Sequence, residues 1–168
     1  MLELATLGLL QKEALHGYRL KQQMELFMNG CISVNYGAIY PLLKRLEEKG
    51  LIEVFTEEGE SNNPRKMYRI TAKGREKWKE KMLDHPHESW VNSRSRFMIK
   101  YFFFSYLEPS ERLKLLEHRL MICKLQLETK EKDQESILNY DDPYQVQAWQ
   151  KCTSSIEDEI QWLEGQMY

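Results

Sequence analysis

The chain has 168 residues, with 24 Lys and Arg against 26 Asp and Glu, a formal net charge of −2, and three cysteines. That length suits one modest core, or a small domain joined to an assembly module. The apolar stretch around Tyr101-Phe102-Phe103-Phe104 is much shorter than the ~20 residues of a membrane helix, so no membrane partner is expected.

Met1-Leu2-Glu3 lacks the basic leader of a secretory signal. Cys31, Cys123 and Cys152 are odd in number and lack CxxC spacing, which disfavours a disulfide framework or structural zinc and fits a reducing cytoplasm. The net charge hides an asymmetry: residues 1–83 carry 14 Lys and Arg against 11 Glu, a net of +3, and residues 84–168 carry 10 against 15, a net of −5. A weakly basic front half joined to an acidic back half remains compatible with a nucleic-acid partner, because charge distribution matters more than its sum.

Residues 2–10 and 16–28 read as two helices joined by Gln11-Lys12-Glu13-Ala14-Leu15. Leu4, Leu7, Leu10, Tyr18, Leu20, Met24 and Phe27 are their expected core. A third helix follows, capped by Ser33 or Asn35 and closed by Gly50. Ile39, Leu42, Leu43 and Leu46 form its buried stripe, which leaves Asn35, Tyr36, Ala38, Lys44 and Arg45 toward the outer or flanking faces. Pro41 would cost about 3 kcal/mol in a helix interior but far less in a first turn, which puts the helix start close to Tyr36.

Leu51-Ile52-Glu53-Val54-Phe55 and Lys66-Met67-Tyr68-Arg69-Ile70 alternate as half-buried strands do, with Ile52 or Val54 and Tyr68 or Ile70 facing inward. The polar residues 57–64 between them form a solvent-facing tip, with Arg65 and Lys66 on its returning edge. Thr71 caps a further helix that continues through Ala72, Arg75, Glu76 and Trp78. This order is a winged helix-turn-helix, which presents one helix and one hairpin on the side where a DNA duplex can receive them.

After a break at Asp84-His85-Pro86-His87-Glu88, residues 90–106, 110–138 and 143–167 read as helices, with Asn139-Tyr140-Asp141-Asp142 as the last turn. Leu113, Leu116, Leu120, Cys123 and Leu127 recur at steps of three and four, as do Trp149, Thr153, Ile156, Ile160, Leu163 and Met167. Such helices pack as a hairpin, and Leu115, Ile122 and Leu125 are left for a second copy. The same stripes also fit a seam within one chain.

His85 and His87, with Asp84 and Glu88, lack the further ligands that a metal site needs, so no metal is expected. No Walker loop, G-x-S-x-G elbow, H-E-x-x-H or glycine-rich dinucleotide fingerprint is present, so neither an enzyme nor a cofactor is expected.

Three segments are found together: His16-Gly17-Tyr18, then Tyr40 through Glu47 followed by Gly50-Leu51-Ile52, then Lys66-Met67-Tyr68-Arg69-Ile70-Thr71-Ala72-Lys73-Gly74. In order and spacing they resemble the PadR family of bacterial transcriptional regulators, across about half the chain. The aromatic run and Glu108-Pro109-Ser110-Glu111-Arg112 resemble the helical C-terminal domain of the family's longer variant. The resemblance implies a mostly α fold with a small β-wing. It divides into a winged helix-turn-helix at 1–83, a linker at 84–89 and a helical dimerisation domain at 90–168.

The function implied is that of a homodimeric repressor on double-stranded DNA, with an inverted-repeat operator, released by a small aromatic effector. Tyr18, Ser33, Asn35, Tyr36, Gly37, Tyr40, Lys44, Asn63, Arg65 and Lys66 are the expected DNA-binding residues. Leu113, Leu116, Leu120, Leu127, Trp149, Ile156, Ile160 and Leu163 are expected in dimerisation. Trp90, Phe97, Tyr101 and Phe104 would line an effector pocket, although aromatics at helical spacing also make ordinary core. The acidic turn Glu57-Glu58-Gly59-Glu60 departs from the expected pattern; with the pI of ≈ 6.1 it favours the alternative, a winged-helix adaptor that docks a protein.

Overall fold

The computed structural model describes residues 1–28, 36–58, 64–138 and 142–167. They form two compact units, Met1–Tyr106 and Leu107–Tyr168. Ser33, Asn35, Asn63 and the turn 139–141 lie outside the described residues, and Tyr36 is described by its backbone alone.

In the first unit, α1 (Leu2–Leu9), α2 (Gly17–Met28) and α3 (Ile39–Glu48) surround an apolar centre. Leu4, Leu7, Leu10, Leu20, Met24, Ile39, Leu42, Leu43 and Leu46 are buried there, at the spacings that place them on single helical faces. Tyr18 is a correction to the expected core, because it is 60% exposed. Phe27 is half-buried and stacks on Phe102 with ring centroids 4.0 Å apart. A 3-10 turn, Tyr36–Ala38, leads into α3, so Pro41 falls in the first helical turn, where its missing N–H removes no intrahelical bond. The far end closes at Gly50, whose φ of 67° lets the amides of Gly50 and Leu51 reach the carbonyls of Glu47 and Leu46 at 2.8 and 2.9 Å.

The sheet is antiparallel in the order β1-β3-β2, from β1 (Leu15–His16), β2 (Ile52–Glu58) and β3 (Pro64–Ile70). Ile52 and Ile70 are the buried inward pair, with Val54 and Tyr68 half-buried. The wing strands extend further toward the tip than their apolar alternation implies, because Thr56↔Lys66 and Glu57↔Arg65 continue the ladder with polar and opposite-charge pairs. Nearer the root, Arg69 reaches Glu53 at 3.2 Å and lies 4.5 Å above the Phe55 ring.

Thr71 joins wing to α4 (Ala72–Leu83) as expected: its hydroxyl accepts from the Gly74 amide at 3.0 Å and donates to the Gly50 carbonyl at 2.7 Å. α5 (Trp90–Phe102), capped by Ser89, groups with this first unit. It stops short of the expected 106 and passes into a 3-10 turn, Phe104–Tyr106, where Phe103 is buried edge-on against Trp78 and Phe27. Arg96 holds Glu88 through two bonds of 2.7 and 3.2 Å, and the buried Lys100 ammonium donates to the Asp84 backbone carbonyl and carboxylate.

The second unit contains α6 (Pro109–Leu138) and α7 (Pro143–Gly165) packed as a helical hairpin. Asp142 caps α7 at the Tyr144 amide, with Pro143 in the first turn, where its fixed φ suits the helix. Leu116, Cys123, Ile156 and Leu163 are buried, as is an ion pair of 2.8 Å between Arg119 and Glu159. Leu115, expected to face a partner, is buried too, whereas Leu125 is 52% exposed.

Candidate nucleic-acid interface

The short strand β1 builds the site. Its pairing, Leu15↔Tyr68 and His16↔Met67, draws the start of α2 against the returning strand of the wing. Backbone pairing over two residues leaves no side-chain period in the sequence, which is why residues 11–15 read as a plain connection.

Between these elements lies a concavity of about 810 Å³, lined by His16, Gly17, Tyr18, Arg19, Gln22, Tyr40, Arg65, Lys66 and Tyr68. Tyr18, Tyr40, Arg65 and Lys66 were expected to touch DNA, and the fold brings all four together. Gly17 explains its own place in the His16-Gly17-Tyr18 segment: a Cβ there would lie 2.8 Å from Tyr40 Cε1, so only a glycine admits the α3 tyrosine so close. Lys44 is exposed on α3 and Gly37 is exposed in the turn before it, both outside this lining.

Four residues of the concavity escaped sequence reasoning as contact groups: His16, Arg19, Gln22 and Tyr68. Their signal was present for α2, where Tyr18 and Gln22 stand four apart and Arg19 and Gln22 three apart on one polar face. The Gln22 amide donates to the Tyr18 hydroxyl at 3.3 Å, and Arg19 Nη1 lies 3.5 Å from Gln22 Oε1. His16 Nδ1 accepts from the Arg19 backbone N–H at 3.2 Å, which leaves Nε2 as the protonated nitrogen of the neutral ring. Burial raises the Tyr68 phenol above its ordinary pKa, and Glu47 and Tyr40 push it the same way, so it stays a neutral donor.

Among the described residues no carboxylate lines this concavity, although Glu57 stands opposite Arg65 in the ladder, and its three cations come from two different elements. Such a surface suits a polyanion backbone better than a small substrate.

A second concavity, of about 480 Å³, is lined by Gly8, Leu9, Lys12, Glu13, Gln23, Leu26, Phe27, Phe102, Phe103, Ser105 and Tyr106. Three of the four expected pocket aromatics form a separate cluster, with Tyr101 and Phe104 centroids 4.8 Å apart and Phe97 6.2 and 6.3 Å from them; Trp90 is half-buried in the first turn of α5. Among the described residues, no group of three or more His, Cys, Asp or Glu is placed to hold a metal, and no helix is long and apolar enough to cross a membrane.

Residues 6–80 match the transcriptional regulator PadR-like family. The negative transcriptional regulator PadR of Bacillus subtilis is 27% identical over 98% of this chain and 94% of its own length. Its crystal structure with operator DNA aligns at 25% identity over 99% of this chain and 96% of that one, with a TM-score of 0.49. The structure with p-coumaric acid aligns at 24% identity over 99% and 93%, with a TM-score of 0.44. A PadR-like transcriptional regulator of Bacillus cereus is 35% identical over 47% of this chain and 75% of that one, with a TM-score of 0.41. Through its domain at residues 6–80, the chain belongs to the PadR-like family, whose members are transcriptional regulators and not enzymes.

Proposed function

We propose that the chain is a homodimeric repressor that recognises an inverted-repeat operator in the cytoplasm and is released from it by a small aromatic effector. The observation that carries this reading is the convergence of the α2 start, the Tyr40 edge of α3 and the wing cations Arg65 and Lys66 on one concave face. The α3 helix enters the major groove, with Asn35, Tyr36 and Lys44 at bases or phosphates. Tyr18 and Tyr40 brace the backbone, and the wing takes the neighbouring phosphates. Residues 1–83 read DNA, 84–89 link and 90–168 assemble the dimer, with α5 of that last span packed in the first compact unit and α6 and α7 forming the second. The basic front half supports placing the DNA reader there, and the relative named as a negative regulator supports repression.

The effector reading draws support from the cleft of about 480 Å³, whose stacked Phe27 and Phe102 offer a planar aromatic guest a surface of matching shape. p-Coumaric acid, held by the Bacillus subtilis regulator, is the first compound to titrate.

A gel shift of the full chain on the DNA upstream of its own coding sequence tests the reading. Retardation that resists unrelated competitor is expected, and Lys44→Ala and Lys66→Ala should each flatten the salt dependence by about one phosphate per chain. The adaptor alternative is favoured by Glu57 on the wing and by the pI of ≈ 6.1. Failure to retard any DNA specifically at low salt would replace the operator reading with it.

A further inference from the structure

We infer that the concavity between α2 and the wing is a seat for one DNA backbone phosphate, in which Arg19 supplies the charge from the α2 side, facing Arg65 and Lys66 across the groove. The inference rests on the operator reading and adds a residue to it.

Arg19 is exposed near the start of α2, where a free arginine would sample many rotamers. Here its surroundings narrow that choice. Tyr18 and Gln22 stand on the same face, the Gln22 amide is tied to the Tyr18 hydroxyl at 3.3 Å, and the Gln22 carbonyl oxygen lies 3.5 Å from the guanidinium. The backbone below is fixed by His16, whose Nδ1 caps the Arg19 amide at 3.2 Å, and by β1, which holds His16 opposite Met67. Lys66 immediately precedes Met67 on β3, so two elements distant in sequence bring cations to the lining of one space.

The neutral members suit the same guest. The Tyr18 oxygen already accepts from Gln22, which leaves its proton for an oxyanion, and Tyr40 and Tyr68 add phenol donors. A guanidinium fork flanked by hydroxyl donors, with no carboxylate among the described lining residues, fits a phosphodiester.

The test measures affinity of the full chain for an operator duplex recovered from a random-sequence pool, and for an unrelated duplex, by fluorescence anisotropy across a salt series. Arg19→Ala should weaken both duplexes alike, by about tenfold. It should also reduce the log–log salt slope by about 0.9 per chain. Arg19→Lys should restore the slope with only part of the affinity, and Gln22→Ala should lose affinity at an unchanged slope, since the charge remains but is no longer aimed. A wild-type slope in Arg19→Ala, or loss confined to the operator, would overturn the phosphate seat while leaving operator binding intact. Failure of the wild-type chain to bind either duplex would instead overturn the operator reading and the seat with it.

Discussion

Two glycines show how differently the same added methyl group can act. At Gly74 a Cβ would lie 2.0 Å from the Leu51 carbonyl oxygen, a backbone atom already engaged by the Thr71 amide at 3.1 Å. Neither side can yield, so Gly74→Ala should cost about 3 kcal/mol in urea denaturation. At Gly17 the obstacle is the Tyr40 ring, 57% exposed and free to swing outward. Gly17→Ala should therefore cost under about 1 kcal/mol of stability, yet weaken operator binding measurably because Tyr40 leaves the groove. Equal stability losses in the two variants would contradict this contrast. Both glycines belong to segments legible in the sequence, but what each makes room for became visible only once distant residues met.

The helices were legible at element scale because their apolar stripes repeat at helical period, and the Thr71 cap obeys a local rule. The short strand β1 was not, nor was the outer part of the wing, where cross-strand charge replaces apolar alternation. Missing β1 hid Arg19 and Gln22 as contacts, since its pairing draws the start of α2 toward the wing.

The same scale carries a pH prediction. Burial pushes the Lys100 ammonium below its ordinary pKa, and Asp84 opposes that shift through charge and a hydrogen bond. Replacing Asp84 by Asn removes the opposing charge and should depress the Lys100 pKa further. With the folded pKa below the unfolded one, the unfolded state binds more protons between the two values, and stability rises with pH across that window. Melts of Asp84→Asn should show their largest deficit at neutral pH, shrinking as the solution is made alkaline. A pH-independent deficit would mean that the backbone contact of Lys100, and not the charge, secures it.

For the whole molecule, the stripes along α6 and α7 divide between uses: Leu116, Ile156 and Leu163 are buried within the hairpin, Leu120, Leu127, Trp149 and Ile160 are half-buried, and Leu113 is exposed. Periodicity alone gives the same stripe for either use. Among the described side chains of α6, the apolar ones still exposed on one side are Leu113, Met121 and Leu125, at spacings of eight and four. If they meet a second copy, Met121→Glu and Leu125→Glu should yield a folded monomer in sedimentation equilibrium, with helical content unchanged by circular dichroism. Dimers that persist in the double variant would assign assembly to another surface.

Selection of binding sites from a random duplex pool by the full chain, followed by footprinting and stoichiometry of the winning sequence, tests the regulator reading most directly. The predicted result is an inverted repeat with half-sites about 10 base pairs apart, protected by two chains per duplex. A pool that yields no enriched sequence, or an asymmetric site protected by one chain, would contradict it.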